Sequence, residues 1–283
     1  MKRQRIRRRL SAVALNGLIA FLALVWLVPV FWLVLSSFRA EAGAYTSYLW
    51  PKGFTLDNYL RLFTDRKLFD FPRWYGNTLL VAGLSCLFTT ILTLMVAYVY
   101  SRLRFPSRRF LMNASLVLGM FPGFMSIIAI YHFLKAVHLD QTLAALVLVY
   151  SGGAALNYYI AKGYFDTIPR SLDEAAILDG ASNHTIFWHI ILPNAKPVIA
   201  TTAINAFINP IVDYIFVSVI MKDNYNNFTV SKGLYTMVDK TNIYAYYTAF
   251  CAGGVLVAIP VVLLFIRLQK YYVAGVVGGS VKG

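Results

Sequence analysis

Six long apolar runs separated by short polar stretches make up most of the chain. A helix crossing the hydrocarbon core of a bilayer needs about 20 mainly apolar residues. Runs of that length lie at Ala12–Leu35, Asn77–Tyr100, Phe110–Leu134, Thr142–Ala161, Val198–Met221 and Thr248–Ile266. They predict an all-α integral membrane protein, with residues 1–283 forming a single transmembrane domain of six helices. The first run follows a basic stretch, as a signal peptide would. Its roughly 24 apolar residues exceed an h-region of about 7–15, and no small-x-small cleavage site ends it, so it reads as a retained span. Pro122-Gly123 predicts a hinge in the third span, and Pro29, Pro210 and Pro260 predict kinks in the first, fifth and sixth.

Composition agrees with this pattern. The chain is 59% hydrophobic and 13% charged, about half the charge of a typical soluble domain. A formal net charge of +14 would suit a nucleic-acid binder, but such a domain needs a polar face and has no repeated uncharged runs. No nucleic-acid partner is expected, and topology accounts for the charge instead. With the N-terminus inside, sixteen of the 26 basic residues fall on inside segments, where four of the 12 acids lie. The densest are Met1–Leu10 and Ser101–Arg109, with Arg102, Arg104, Arg108 and Arg109. Basic excess on short loops marks the cytoplasmic side, so both termini are expected there. Cys86 and Cys251 lie inside apolar runs and read as small core residues, with nothing to favour or exclude a disulfide between them.

The inside segment Lys162–Pro197 carries the sharpest local signal. Ser171 stands three residues before Glu174, a capping-box spacing just after Pro169. This predicts a short helix that Gly180 ends. A second amphipathic stretch, Asn183–Ile191, precedes Pro193 and Pro197, which are expected to block further helix. Physical reasoning leaves two readings of this helix, glycine break and helix: an interfacial hairpin on lipid headgroups, or a protruding element that meets a partner.

At these residues the chain resembles a known family. Glu174-Ala175-Ala176, Gly180, Ile190, Leu192 and Pro193 match the EAA loop of binding-protein-dependent ABC transporter permeases. Asn77-Thr78-Leu79, Ala97-Tyr98, Ser101-Arg102-Leu103-Arg104-Phe105-Pro106, Phe121-Pro122-Gly123 and the tail Gly278–Gly283 are similar to sugar importers of the MalG branch. The resemblance implies the ABC type I importer permease fold in a bacterial cytoplasmic (inner) membrane. It implies that the loop is a coupling helix seated in a cleft of a cytoplasmic ATPase. Glu174 would meet a basic residue there, and Ala175 and Ala176 would allow close approach. The implied partners are a second MalF-like permease subunit, two ATPase subunits, an extracytoplasmic sugar-binding protein and membrane lipid. The implied substrate is a maltodextrin-like oligosaccharide. The sequence contains no G-x-x-x-x-G-K-[ST], so ATP and Mg are expected on the partner ATPases, with no cofactor and no catalysis in this chain.

Polar residues inside the membrane are the remaining candidates. Thr201, Asn205, Asn209 and Asp213 recur every four residues along the fifth span, forming a stripe that either lines a pathway or fixes helix packing. An ion-coupled secondary carrier using Asp213 is the alternative function. Asn157, Tyr158 and Tyr159 read as an interfacial belt or as sugar contacts. In the outside stretch Lys222–Tyr247, the resemblance implies that Asn224, Tyr225, Asn226, Asn227 and Phe228 reach into the binding protein, against a loop folded on the membrane. It also implies that Gly278, Gly279, Lys282 and Gly283 contact the ATPases, against a frayed end. No His or Cys cluster suggests a metal.

Overall fold

The structure is a computed structural model. It describes residues 2–280 apart from 45, 47, 67, 68, 121, 122 and 154, with side chains over 12–272 except those residues and 124. Among the described residues the chain is helical, and the one extended pairing is an isolated bridge between Arg39 and Phe54. In order, the helices are α1 (Lys2–Ser37), α2 (Asp57–Thr64), α3 (Phe71–Arg102), α4 (Arg108–Met120), α5 (Gly123–Ala136), α6 (Leu143–Gly152) and α7 (Ala155–Phe165). Then come α8 (Arg170–Leu178), α9 (Asn183–Ile186), a π turn (Phe187–Ile191), α10 (Leu192–Asn194) and α11 (Lys196–Val212). α12 (Ile215–Met221), a 3-10 turn (Tyr225–Asn227), α13 (Val230–Met237) and α14 (Ile243–Ser280) complete the chain.

Three of the six expected spans are continuous: Ala12–Ser37 of α1, all of α3, and Ile243–Tyr272 of α14. Pro29 and Pro260 lie within α1 and α14, which run on through them. The other three spans are broken. α4 and α5 meet at 108°, beside Gly123, while Phe121 and Pro122 of the expected hinge lie outside the described residues. α6 and α7 are bent by 44° after Gly152-Gly153, and α11 and α12 by 59°. The last break does not fall at Pro210, which lies inside α11, but after Val212, where Asp213 Oδ1 accepts the Phe216 N–H of the next helix.

Contacts divide the chain into two compact units, Met1–Asp70 with Thr236–Leu256 and Phe71–Tyr235 with Val257–Gly283. In the first, the last carbonyls of α1 would lack partners. The Asn58 amide donates to the Ser37 and Arg39 carbonyls at 3.0 and 2.8 Å, and its oxygen accepts from Thr248 at 2.8 Å. Arg39 is buried, donates to the Leu49 carbonyl at 2.8 Å, and lies over the rings of Trp32 and Tyr48.

The second unit is organised around α3, which packs on α11, α7 and α6. Its buried positions include Thr78, Ala82, Ser85, Thr89, Thr93, Ala97 and Ser101, a row of small side chains three or four residues apart among larger ones such as Val81, Leu94 and Tyr98. In lipid no hydrophobic force drives helices together, so small residues that let backbones approach make the interface. Two small polar side chains on α3 also donate to neighbouring carbonyls: Thr89 to Tyr150 and the Cys86 thiol to Ala203, each at 3.3 Å. Both cysteines are free.

Candidate functional site

α8 forms where expected, but Ser171 does not cap it. Pro169 occupies the cap position with no side-chain bond, and Ser171 falls inside the first turn, where its hydroxyl cannot serve as the cap. Gly180 ends the helix through two backbone bonds. Its own N–H reaches the Ile177 carbonyl at 3.0 Å, and the Ala181 N–H reaches Ala176 at 2.9 Å. This closure needs a left-handed residue, and Gly180 has φ +82°. The cap that sequence reading missed is Ser182, whose hydroxyl accepts from the Thr185 N–H at 3.2 Å and starts α9. Its signal was a serine directly after the glycine stop. Pro193 and Pro197 do not halt the chain: each sits in the first turn of a helix, where a missing N–H costs nothing.

α8, α9 and the π turn bury Ala176, Ile186, Phe187 and Ile191 against Leu94, Ala97, Tyr98, Ala161 and Phe165. Ile190 and Leu192 pack at the edge of that cluster, and Pro193 is exposed. Glu174 and Ala175 face outward, whereas Ala176 turns into the core. The alanine pair therefore divides its work between an outer surface and an inner one. Leu172, Ile177 and Leu178 are also exposed, Leu178 at 88%. A charged residue beside uncovered leucine and isoleucine is a patch of the kind that meets a partner protein or a membrane surface. Burial lifts the Asp173 carboxyl above the usual carboxylate range, against the pull of Arg102 and Arg170.

Along α11, Asn205 and Asn209 are exposed, and Thr201 and Asp213 are half-buried. The stripe thus lies away from α11's buried positions Thr202, Ile204, Ala206, Pro210 and Ile211. Asp213 differs from the asparagines. Its Oδ1 accepts the Phe216 N–H at 2.9 Å, its Oδ2 accepts the Tyr150 hydroxyl at 3.1 Å, and its carbonyl accepts the Ser231 hydroxyl at 2.8 Å. It caps the first turn of α12 and borders a cavity of about 360 Å³ with Ser126, Tyr150 and Phe216. Asparagine can accept the same capping bond and alanine cannot. Asp213→Asn is therefore expected to retain uptake, with Asp213→Ala less stable by about 1 kcal/mol, as read from thermal unfolding and uptake in vesicles.

The stretch from Asn224 to Phe228 is held by its own chain. Asn77 donates to the Asn226 and Phe228 carbonyls at 2.9 and 3.0 Å, and Trp74 to that of Tyr225 at 3.1 Å. The side chains of Asn224 and Asn227 both donate to the Gln141 carbonyl, at 3.1 and 2.8 Å. Phe228 is buried, and Asn226 remains exposed. Asn157, Tyr158 and Tyr159 are half-buried, and the Tyr159 hydroxyl donates to the Met112 carbonyl. α14 carries the backbone through Gly278 and Gly279, while Lys282 and Gly283 lie outside the described residues.

The family described as binding-protein-dependent transport system inner membrane component matches residues 89–277, which include the whole glycine-broken loop and α11. The chain belongs to this family. The permease is 34% identical over 280 residues to the galactooligosaccharides transport system permease protein GanQ of Bacillus subtilis (strain 168), covering 99% of this chain and 98% of that protein. It is 33% identical over 217 residues to the maltose/maltodextrin transport system permease protein MalG of Escherichia coli (strain K12), covering 74% and 72%. A solved bacterial ABC transporter involved in import of the acidic polysaccharide alginate superposes with a TM-score of 0.77 at 23% identity, covering 93% of the permease and 97% of that chain. That likeness bears on the fold: the permease has the helical architecture of ABC importer membrane subunits.

Proposed function

We propose that the permease is one of two membrane subunits of an ATP-driven importer for an oligosaccharide of the maltodextrin or galactooligosaccharide class. The observation that carries this reading is the α8–α9 loop, with Glu174, Ala175 and Leu178 exposed at its tip beside the Gly180 turn. The tip seats in a cytoplasmic ATPase, and closure of two such ATPases turns the spans from one side to the other. Residues 1–283 act as a single transmembrane domain, with Lys162–Pro197 as its coupling loop. Both termini and the loop are cytoplasmic, because the basic excess falls there. A MalF-like companion covers the Asn205 and Asn209 stripe, since an amide facing lipid without a partner costs roughly 2–7 kcal/mol. An extracytoplasmic sugar-binding protein delivers substrate at the outer face, where Asn226 is the accessible member of the loop. Ile190, Leu192 and Pro193 back the coupling surface, and the end of α14 approaches the ATPases.

The test is uptake into proteoliposomes by the co-expressed complex, with labelled maltotriose and galactotriose as probes. Uptake that requires internal ATP and falls roughly tenfold or more in Leu178→Glu is expected. Uptake that ignores ATP and collapses when the ion gradient is dissipated would assign the chain to an ion-coupled carrier.

A further inference from the structure

We infer that Arg102, with Tyr98 and Ser101, is a positioning group that ties both helices of the coupling loop to the end of α3. This rests on the coupling role proposed above for that loop. Positions 98, 101 and 102 are spaced i, i+3, i+4 and share one helix face. Arg102 Nε lies 2.8 Å from Asp173 Oδ2 in α8, and its Nη2 donates to the Ile168 carbonyl at 2.9 Å. The Ser101 hydroxyl donates to Asp166 Oδ1 at 2.6 Å, and the Ser101 carbonyl accepts from Arg170 at 3.4 Å. Tyr98 reaches past the glycine turn: its hydroxyl donates to the Asn183 carbonyl at 3.2 Å, and its ring packs on Phe187 at 5.1 Å. One turn of α3 thereby holds the lead-in to α8, α8 itself, α9 and the π turn.

The consequence is mechanical. The side chains of Arg102 and Asp173 are 5% and 13% exposed, so little solvent screens their attraction. Breaking such a pair leaves a buried charge alone, which makes it costly to separate. A push that displaces α8 and α9 therefore moves the end of α3 with them. α3 packs on α11, so the displacement passes to the helix that carries Asn205 and Asn209. The pair also has slack. Arg102 Nη1 and Asp173 Oδ1 make no hydrogen bond, and Arg102 Nε touches Asp173 as an ion contact without one, so α8 can turn against α3 by exchanging one ion contact for another. Arginine suits this use because its charge is permanent and its donors fan across a plane.

The experiment uses the co-expressed complex in nanodiscs. It measures ATP hydrolysis with and without the binding protein loaded with a mixture of maltodextrins and galactooligosaccharides. Arg102→Gln is expected to lower the stimulation roughly tenfold while the ATPases still co-purify. Exchange of the charges, Arg102→Asp with Asp173→Arg, is expected to restore part of it, because the ion pair re-forms while the bond to the Ile168 carbonyl does not. If Arg102→Gln fails to accumulate, Tyr98→Phe and Ser101→Ala carry the test, each with a severalfold loss. Full stimulation in these variants, or no recovery in the exchange, overturns the inference while Leu178→Glu still uncouples. If Leu178→Glu also retains stimulation, the coupling reading itself falls.

Discussion

Gly233→Ala is expected to leave almost no folded permease in the membrane. A Cβ added at Gly233 would lie 2.0 Å from Cε3 of Trp74 and 2.5 Å from Cδ2 and Cζ3, distances that real carbon atoms do not adopt. The indole has nowhere to retreat. Trp74 is fully buried, its Nε1 donates to the Tyr225 carbonyl at 3.1 Å, and its ring meets Tyr225 edge-on at 5.0 Å. Phe228 lies beside it at 6.1 Å. Overpacking by one methyl usually costs about 1–3 kcal/mol when neighbours can shift; against a pinned indole the cost lies at or above the top of that range. The loss would spread beyond the contact, because moving Trp74 also releases the loop at Tyr225–Phe228. Membrane abundance and detergent thermal stability measure it. Wild-type values for both would mean that the ring relocates freely.

Substitution of Gly180 is expected to weaken the stimulation of hydrolysis by the loaded binding protein in a graded order. Nothing lies within 4 Å of a Cβ at this position, so space is not the obstacle. The obstacle is φ +82°, a conformation that costs an ordinary residue about 1–2 kcal/mol. Asparagine and aspartate tolerate it better than alanine, and valine tolerates it least. Gly180→Asn should retain much of the stimulated hydrolysis, Gly180→Asp should lose some of it, and Gly180→Val should lose roughly tenfold. The ATPases should co-purify with all three. Equal loss across the series would assign the glycine instead to close approach of the partner. Normal transport by Gly180→Val would remove the turn from the mechanism.

Much of the architecture is legible in the amino-acid sequence, for a simple reason. Spanning helices must be long and apolar, and a glycine after a short amphipathic stretch has few other uses. The breaks were harder to read. Gly152-Gly153 interrupts an apolar run without changing its hydrophobicity, so a span count passes over it. Asp213 stood out as an acid in the membrane, but its role depends on Tyr150 and Ser231, which lie far away in sequence. The same holds for Gly233, whose neighbour Trp74 is set by packing and by no local pattern. Adjacent helical residues differ by about 100° in direction, so the opposite orientations of Ala175 and Ala176 could have been drawn from α8 alone. Ser182 is also legible as a cap, since it directly follows Gly180-Ala181 and precedes the second helical stretch. The outside segment read as an aromatic loop contains α13, whose Val230, Leu234 and Met237 are buried at helical spacing.

The two outward amides of α11 also bear on the lifetime of the chain in a cell. On the assembly proposed above, the permease without its companion would leave the exposed Asn205 and Asn209 amides facing an apolar solvent. Such a subunit advertises its own incompleteness to the quality-control proteases of the membrane. Synthesis in excess of its companion should therefore shorten its half-life, and Asn205→Leu with Asn209→Leu should lengthen the half-life of the orphan while weakening assembly. Pulse-chase labelling with and without the companion reads this directly. The stripe would then set the subunit ratio by degrading the surplus.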